Sequence, residues 1–164
     1  MEIQRFWELI EGGADLSELP PDEIVAFARR YSQVLDAAYL GPLWAAAYLI
    51  EGGCGDDGFR DFRAGLMLQG RAAFEAACAD PDSLADLPIV REMAAGSGWL
   101  GYEALHYAAR NAYRARTGDV DAFDAALAAG RPTGPAGPAR GERWDVEDEA
   151  ENERRLPRLA ALFQ

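Results

Sequence analysis

The segment Leu43 to Glu51, "LWAAAYLIE", constrains the fold more than any other stretch, because it is apolar nearly all round. A surface helix keeps a polar face toward water, whereas a helix without one must be enclosed by other elements. Gly41-Pro42 sets its start, since proline biases the residue before it away from helical backbone yet fits an early helical position. Gly52-Gly53 marks its end. The rest of the chain must therefore supply helices to wrap a central one.

That remainder reads as helical too, with apolar residues recurring at three and four and no run of period-two alternation. Ile3 to Glu11 puts Phe6, Leu9 and Ile10 on one face and stops at Gly12-Gly13. Pro20-Pro21 followed by Asp22 and Glu23 opens a second helix, which carries Ile24, Phe27, Tyr31, Val34, Leu35 and Ala38. A stripe of Phe59, Phe62, Leu66, Ala73, Phe74 and Ala77 predicts a helix from near Gly58 to Ala79. Gly65 and Gly70 weaken it by about 1 kcal/mol each relative to alanine, which predicts a kink or a close helix contact there. "DPDSLADLP" is a turn-rich connection, and a short helical piece follows near Ile89 to Ala94. Ser97 reads as the cap of a long helix from Trp99 to about Thr117, and Asp119 or Asp121 as the cap of another through Ala129.

"GRPTGPAGPARG", residues 130–141, holds four glycines and three prolines in twelve positions, which predicts an exposed loop over 130–143. Beyond it, acids from Asp145 to Glu153 precede Arg154 and Arg155, the order the helix macrodipole favours. Leu156, Leu159, Leu162 and Phe163 then provide apolar area to dock on the core. The fold expected is all-α: a single domain over residues 1–164, an irregular bundle of six to eight helices, with the Pro/Gly-rich loop before a docked C-terminal helix. Leu43–Glu51 should be central, with helices starting near Gly58 and Trp99 beside it.

Taken together, "FWELIE" near the start, "LWAAAYLIEGGCGDDGFRDFR" with "QGR" after it, "DPDSLADL", and "WDVEDE…LPRLAALF" resemble the bacterial family catalogued as domain of unknown function 4240. The likeness runs over nearly the whole chain, and the glycine-cysteine-aspartate corner is its most specific part. Nothing carries over for residues 130–143. The resemblance implies one helical domain of roughly the whole chain and assigns no catalytic residue.

Charge narrows the choice of partner. Sixteen basic against 28 acidic residues give a net charge of −12, which repels nucleic-acid phosphates and anionic membranes. No apolar segment nears the roughly 18 residues of a membrane span. The start, "MEIQRFWELI", lacks a basic region followed by an apolar run, so a cytoplasmic location is expected, with Cys54 and Cys78 as reduced thiols. A basic protein partner, a cation, or mere solubility as the default reading remain open, and the oligomeric state is unknown. One histidine excludes any site built from several histidines of one chain.

The corner "GGCGDDG" from Gly52 to Gly58 is the first candidate site. Structurally, Gly52 or Gly53 ends one helix, Asp56 or Asp57 caps the next, and Cys54 fills a small gap. A phosphate cradle, suggested by the glycines, the helix start and Arg60 and Arg63 one turn on, is disfavoured, because each aspartate would repel the phosphate by about 1 to 4 kcal/mol against a helix-end attraction of about 0.3 to 1 kcal/mol. A nucleophilic Cys54 needs a base, and His106 is the single histidine available. A divalent cation on Asp56, Asp57 and Asp61 is chemically consistent but lacks the spacing of a calcium-binding loop. The second candidate, Glu103-Ala-Leu-His106, is half of a di-iron motif that needs two such pairs; a hydrogen-bonded histidine at a core margin competes with it. Third, Trp7, Trp44, Tyr48, Trp99, Tyr102 and Tyr113 either line a pocket or build the core. The expected function is a non-catalytic interaction or regulatory module with an acidic surface. The alternative is a small-molecule or metal-binding protein or enzyme with a cleft at the corner, using Trp44, Tyr48, Cys54, Asp56, Asp57 and His106. No catalytic residue, metal ligand or cofactor is assigned.

Overall fold

The computed structural model describes residues 1–129 and 137–163. Among them the chain forms ten α-helices: α1 (Ile3–Glu11), α2 (Pro21–Ala37), α3 (Gly41–Glu51), α4 (Asp56–Met67), α5 (Arg71–Ala79), α6 (Pro88–Ala94), α7 (Leu105–Thr117), α8 (Val120–Ala128), α9 (Glu149–Arg155) and α10 (Pro157–Phe163). Turns of 3-10 helix lie at Leu16–Glu18 and Pro81–Asp86. The fold is all-α, and a lone backbone bridge joins Leu40 to Arg140. Ten helices stand where six to eight were expected, because two expected segments divide. The Gly58–Ala79 stripe breaks at Gly70, whose φ of 93° L side chains rarely adopt, and the C-terminal segment divides where Pro157 starts α10.

The residues group into two compact units, each built from two stretches of chain. The first comprises residues 1–37 and 103–138. Here α1 packs on α2, α2 on α7 and α8, and the turn Leu16–Glu18 on α7. Phe6 is fully buried, with its ring 5.2 Å from that of Phe27. Arg30 donates to the Met1 carbonyl at 2.7 Å, and Arg29 donates to the Ala126 carbonyl near the end of α8 at 2.6 Å. Asp119 accepts from the Ala122 N–H and so caps α8 as expected.

The second unit comprises residues 38–102 and 139–164. Its centre is α3, which touches α4, α6, α10 and the turn Pro81–Asp86 and has no exposed residue along its length. The expectation from its all-round apolar sequence holds. Leu156 and Leu159 are buried, so the C-terminal segment docks, although Leu162 faces solvent. Asp82 secures the docking: its buried carboxylate accepts the Arg158 N–H at 3.0 and 3.2 Å and the Leu159 N–H at 3.0 Å. The cap of α10 thus comes from a residue 76 positions earlier. Arg155 braces the same end, lying 4.8 Å over the Trp144 ring and pairing with Glu142 at 2.5 Å and Glu151 at 2.7 Å.

Two expectations need correction. No helix starts at Trp99; α7 begins at Leu105. Gly98 takes a φ of 79°, and the Leu100 backbone packs so closely on α4 that a Cβ on Gly65 would lie 1.7 Å from the Leu100 carbonyl oxygen. Ser97 bonds back to the Glu92 carbonyl and caps nothing. The close contact foreseen at Gly65 is therefore real, but its partner is an irregular segment. Of the loop expected over 130–143, residues 130–136 lie outside the described residues. Beyond them Ala139 is buried, and Arg140 exchanges backbone bonds with Tyr39 and Gly41 at 3.0 and 2.7 Å.

Candidate functional site

The Gly52–Gly58 corner belongs to the second unit and is built as a helix-to-helix joint. Gly52 closes α3 in left-handed conformation, φ 66°, and the Gly53 N–H reaches back to the Tyr48 carbonyl at 2.9 Å. The aspartates do not cap. Helix α4 starts two residues earlier than expected, at Asp56, with Gly55 at the cap position and no side-chain cap bond. Asp56 and Asp57 sit in its first turn, where the macrodipole favours acids. Both are exposed, and Asp56 has a long contact, 3.4 Å, with the Tyr39 hydroxyl.

Cys54 is turned inward. Its thiol is buried, while its backbone carbonyl accepts the Trp44 indole N–H at 2.7 Å. Burial pushes the thiol pKa well up, and the neighbouring Glu51 carboxylate adds to the rise. Thiolate is the nucleophile, so this environment opposes reactivity. Burial also raises the pKa of Glu51, whose Oε1 is enclosed without a hydrogen-bond partner. Both groups crowd Gly58: a Cβ there would lie 3.5 Å from the Cys54 sulfur and 3.6 Å from a Glu51 oxygen.

The aromatic candidates separate. Trp44 stacks on Phe59 at 5.0 Å with planes 8° apart, and Tyr39 leans on both. Into this group comes Arg63, buried to 6% exposure, its guanidinium 4.9 Å from the Tyr39 ring centroid and 4.6 Å from that of Phe59. Its Nε donates to the Phe59 carbonyl at 3.1 Å. These rings hold the chain's own cation. Tyr48 turns to the C-terminal segment and donates to the Glu147 carboxylate, which raises the tyrosine pKa. Trp99 and Tyr102 are exposed, contrary to a core role.

His106 belongs to the first unit, on α7. Its Nδ1 lies 2.5 Å from the hydroxyl of buried Tyr31, with the rings edge to face. The sequence missed this pair, which is separated by 75 positions. It suggests Arg63 only as a phosphate contact and Glu51 only as a helix end, not the aromatic group around the one or the enclosure of the other, although Arg63 follows Phe59 at i+4 on one helix face. Among the described residues no group of three or more His, Cys, Asp or Glu could hold a metal ion, and no helix is long and apolar enough to cross a membrane. A hollow in the second unit is lined by Ala73, Ala76, Ser83, Leu84, Asp86 and Leu87, away from the corner residues.

The chain belongs to the family described as "protein of unknown function (DUF4240)", whose model matches residues 12–115, more than half of its length. The match takes in the corner, "QGR" and "DPDSLADL" but neither "FWELIE" nor the C-terminal motif. No curated protein and no solved structure matches the chain.

Proposed function

We propose that the whole chain, residues 1–164, acts in a bacterial cytoplasm as a non-catalytic interaction or regulatory module, its acidic surface meeting a basic protein partner rather than nucleic acid or membrane. The observation that carries this reading is the use of the corner's side chains in folding. Trp44 is bonded to the Cys54 carbonyl, the Cys54 thiol is buried with its pKa driven up, and Arg63 fills the aromatic group. The carboxylates of Asp56 and Asp57 meanwhile face water, in a chain of net charge −12. Free Cys54 and Cys78 are compatible with a reducing compartment, and the resemblance supplies the bacterial setting. The test is capture of partners on the immobilised chain followed by a salt titration. A partner released as ionic strength rises through the range that screens exposed charges is the expected result. Retention indifferent to salt would refute an acidic docking surface.

The competing reading is a ligand or metal cleft at the corner. It is favoured by the enclosed Glu51 Oε1 beside the Cys54 thiol, an arrangement that stability alone does not require. Cys54→Ser and Asp57→Ala address it: if neither alters the melting response to any metal or small molecule, the cleft reading falls.

A further inference from the structure

We propose that the groove formed by α3, α6 and the turn Pro81–Asp86 is a docking site for a basic amphipathic helix of a partner protein, and that α10 fills it in the partner's place until displaced. The proposal rests on the acidic-module reading and names the surface and the form of the partner. Helix α10 has seven residues, and a helix so short does not hold itself together in water. Its order comes from what it meets. Leu156, Leu159 and Ala160 are buried, and α10 touches α3, α6 and the turn. Asp82 accepts the N–H groups of Arg158 and Leu159, so the groove carries its own cap for an incoming helix start.

Charge chooses the occupant. Arg158 pairs with Asp86, and the carboxylates of Asp82 and Asp80 act on the same guanidinium, all three raising its pKa. A cation in the first turn runs against the helix macrodipole, so Arg158 answers the acids of the groove rather than the needs of its own helix. The groove thus selects a helix that starts at Asp82, carries a leucine stripe and brings a cation in its first turn. It also offers more than α10 uses. A hollow of about 170 Å³ opens along the same turn, walled by Ala73, Ala76, Leu84 and Leu87 with Asp86 at its polar side, and no residue of α10 lines it. A partner helix that fills this hollow gains a contact α10 lacks, which offsets the tethered helix's effective concentration of about a millimolar. A phosphate group or an acidic helix would instead face three carboxylates.

The experiment uses the full chain labelled with nitrogen-15 and an unlabelled peptide copying residues 154–163, RRLPRLAALF. Leu159→Ala in the chain loosens its own α10 and leaves the groove intact. That chain should bind the peptide about tenfold or more tightly than wild type does, with saturable shifts at the Asp82 and Leu84 amides. If Leu159→Ala fails to fold, Arg158→Ala at a half-exposed side chain supplies the same comparison. In the wild-type chain, peptide at about a millimolar should release the Arg158 and Leu159 amides from their docked positions. A peptide carrying Arg158→Glu should bind about tenfold more weakly. Equal affinity for wild-type and loosened chains, or shifts confined to other residues, would overturn the stand-in role of α10, and no binding to any chain would overturn the groove. Either failure leaves the acidic-module reading to its own salt titration, which does not depend on this groove. Asp82 and Leu84 signals that move with protein concentration before peptide is added would mean that a second copy supplies the helix, and the proposal of a separate partner would fall.

Discussion

Asp82 offers the sharpest test of how the C-terminal segment is held. Its carboxylate accepts the Arg158 and Leu159 N–H groups at 3.0 to 3.2 Å, and at 6% exposure water cannot readily replace it. Asp82→Ala strands two backbone donors at the start of α10. A hydrogen bond to a charged group contributes about 1.5 to 3 kcal/mol, and loss of a helix cap costs about 0.5 to 2 kcal/mol. These descriptions overlap, so the expected loss is about 2 to 4 kcal/mol, against a total stability of about 5 to 15 kcal/mol. Asp82→Asn keeps an acceptor oxygen and should lose only about 1 kcal/mol. Urea unfolding with an unchanged slope measures the total, and amide exchange at Leu159 reports the location. A change below about 0.5 kcal/mol in Asp82→Ala, or unaltered exchange at Leu159, would refute the argument.

Other positions give further expectations. Gly65→Ala forces a methyl to within 1.7 Å of the Leu100 carbonyl oxygen and should cost about 3 kcal/mol or more, seen as a lower urea midpoint. Trp44→Phe keeps a ring against Phe59 but removes the donor to the Cys54 carbonyl, for a loss of about 1 kcal/mol, whereas Trp44→Ala should lose about 3 to 5 kcal/mol. Two arginines hold the Glu151 carboxyl down to about 2, with Glu142 and Asp86 also lowered by their arginine partners. Carboxyls depressed on folding stabilise the native state above their unfolded values, near 4.3 for Glu, and that contribution is lost as pH falls toward the folded values. Acid titration should therefore loosen α9 first, read from amide exchange between about pH 4 and 2, and Arg155→Met should flatten that dependence. Glu51 runs oppositely: its raised pKa costs stability once pH climbs past it, so Glu51→Gln should raise the midpoint at pH 8 more than at pH 4.

Local chemistry was legible and distant pairing was not. Gly12-Gly13 and Pro20-Pro21 punctuate the chain strongly enough that α1 and α2 read correctly, and the absence of a polar face on α3 made its centrality unavoidable. Gly65 and Gly70 advertised a disturbance, but composition cannot distinguish a glycine that breaks a helix from one that admits a neighbour; here each does one. The helix placed at Trp99 failed because Gly98 and Leu100 obey contacts with α6 and α4, which no local propensity encodes. Around the corner, the glycine closing α3 was readable, whereas the rings around Arg63 were not, because Tyr39 comes from outside the helix that carries the arginine. Nor could sequence pair Tyr31 with His106, or Asp82 with Leu159, 77 positions on.

Because each unit is assembled from two separated stretches, neither can finish while the ribosome is still midway along the message. At about 5 to 20 residues per second, Asp82 emerges about 4 to 15 s before Leu159 exists for it to hold. Throughout that interval the oily cylinder at the heart of the second unit lacks its last cover. A fragment trimmed to residues 12–115 would lack α10 and keep α3 without that cover.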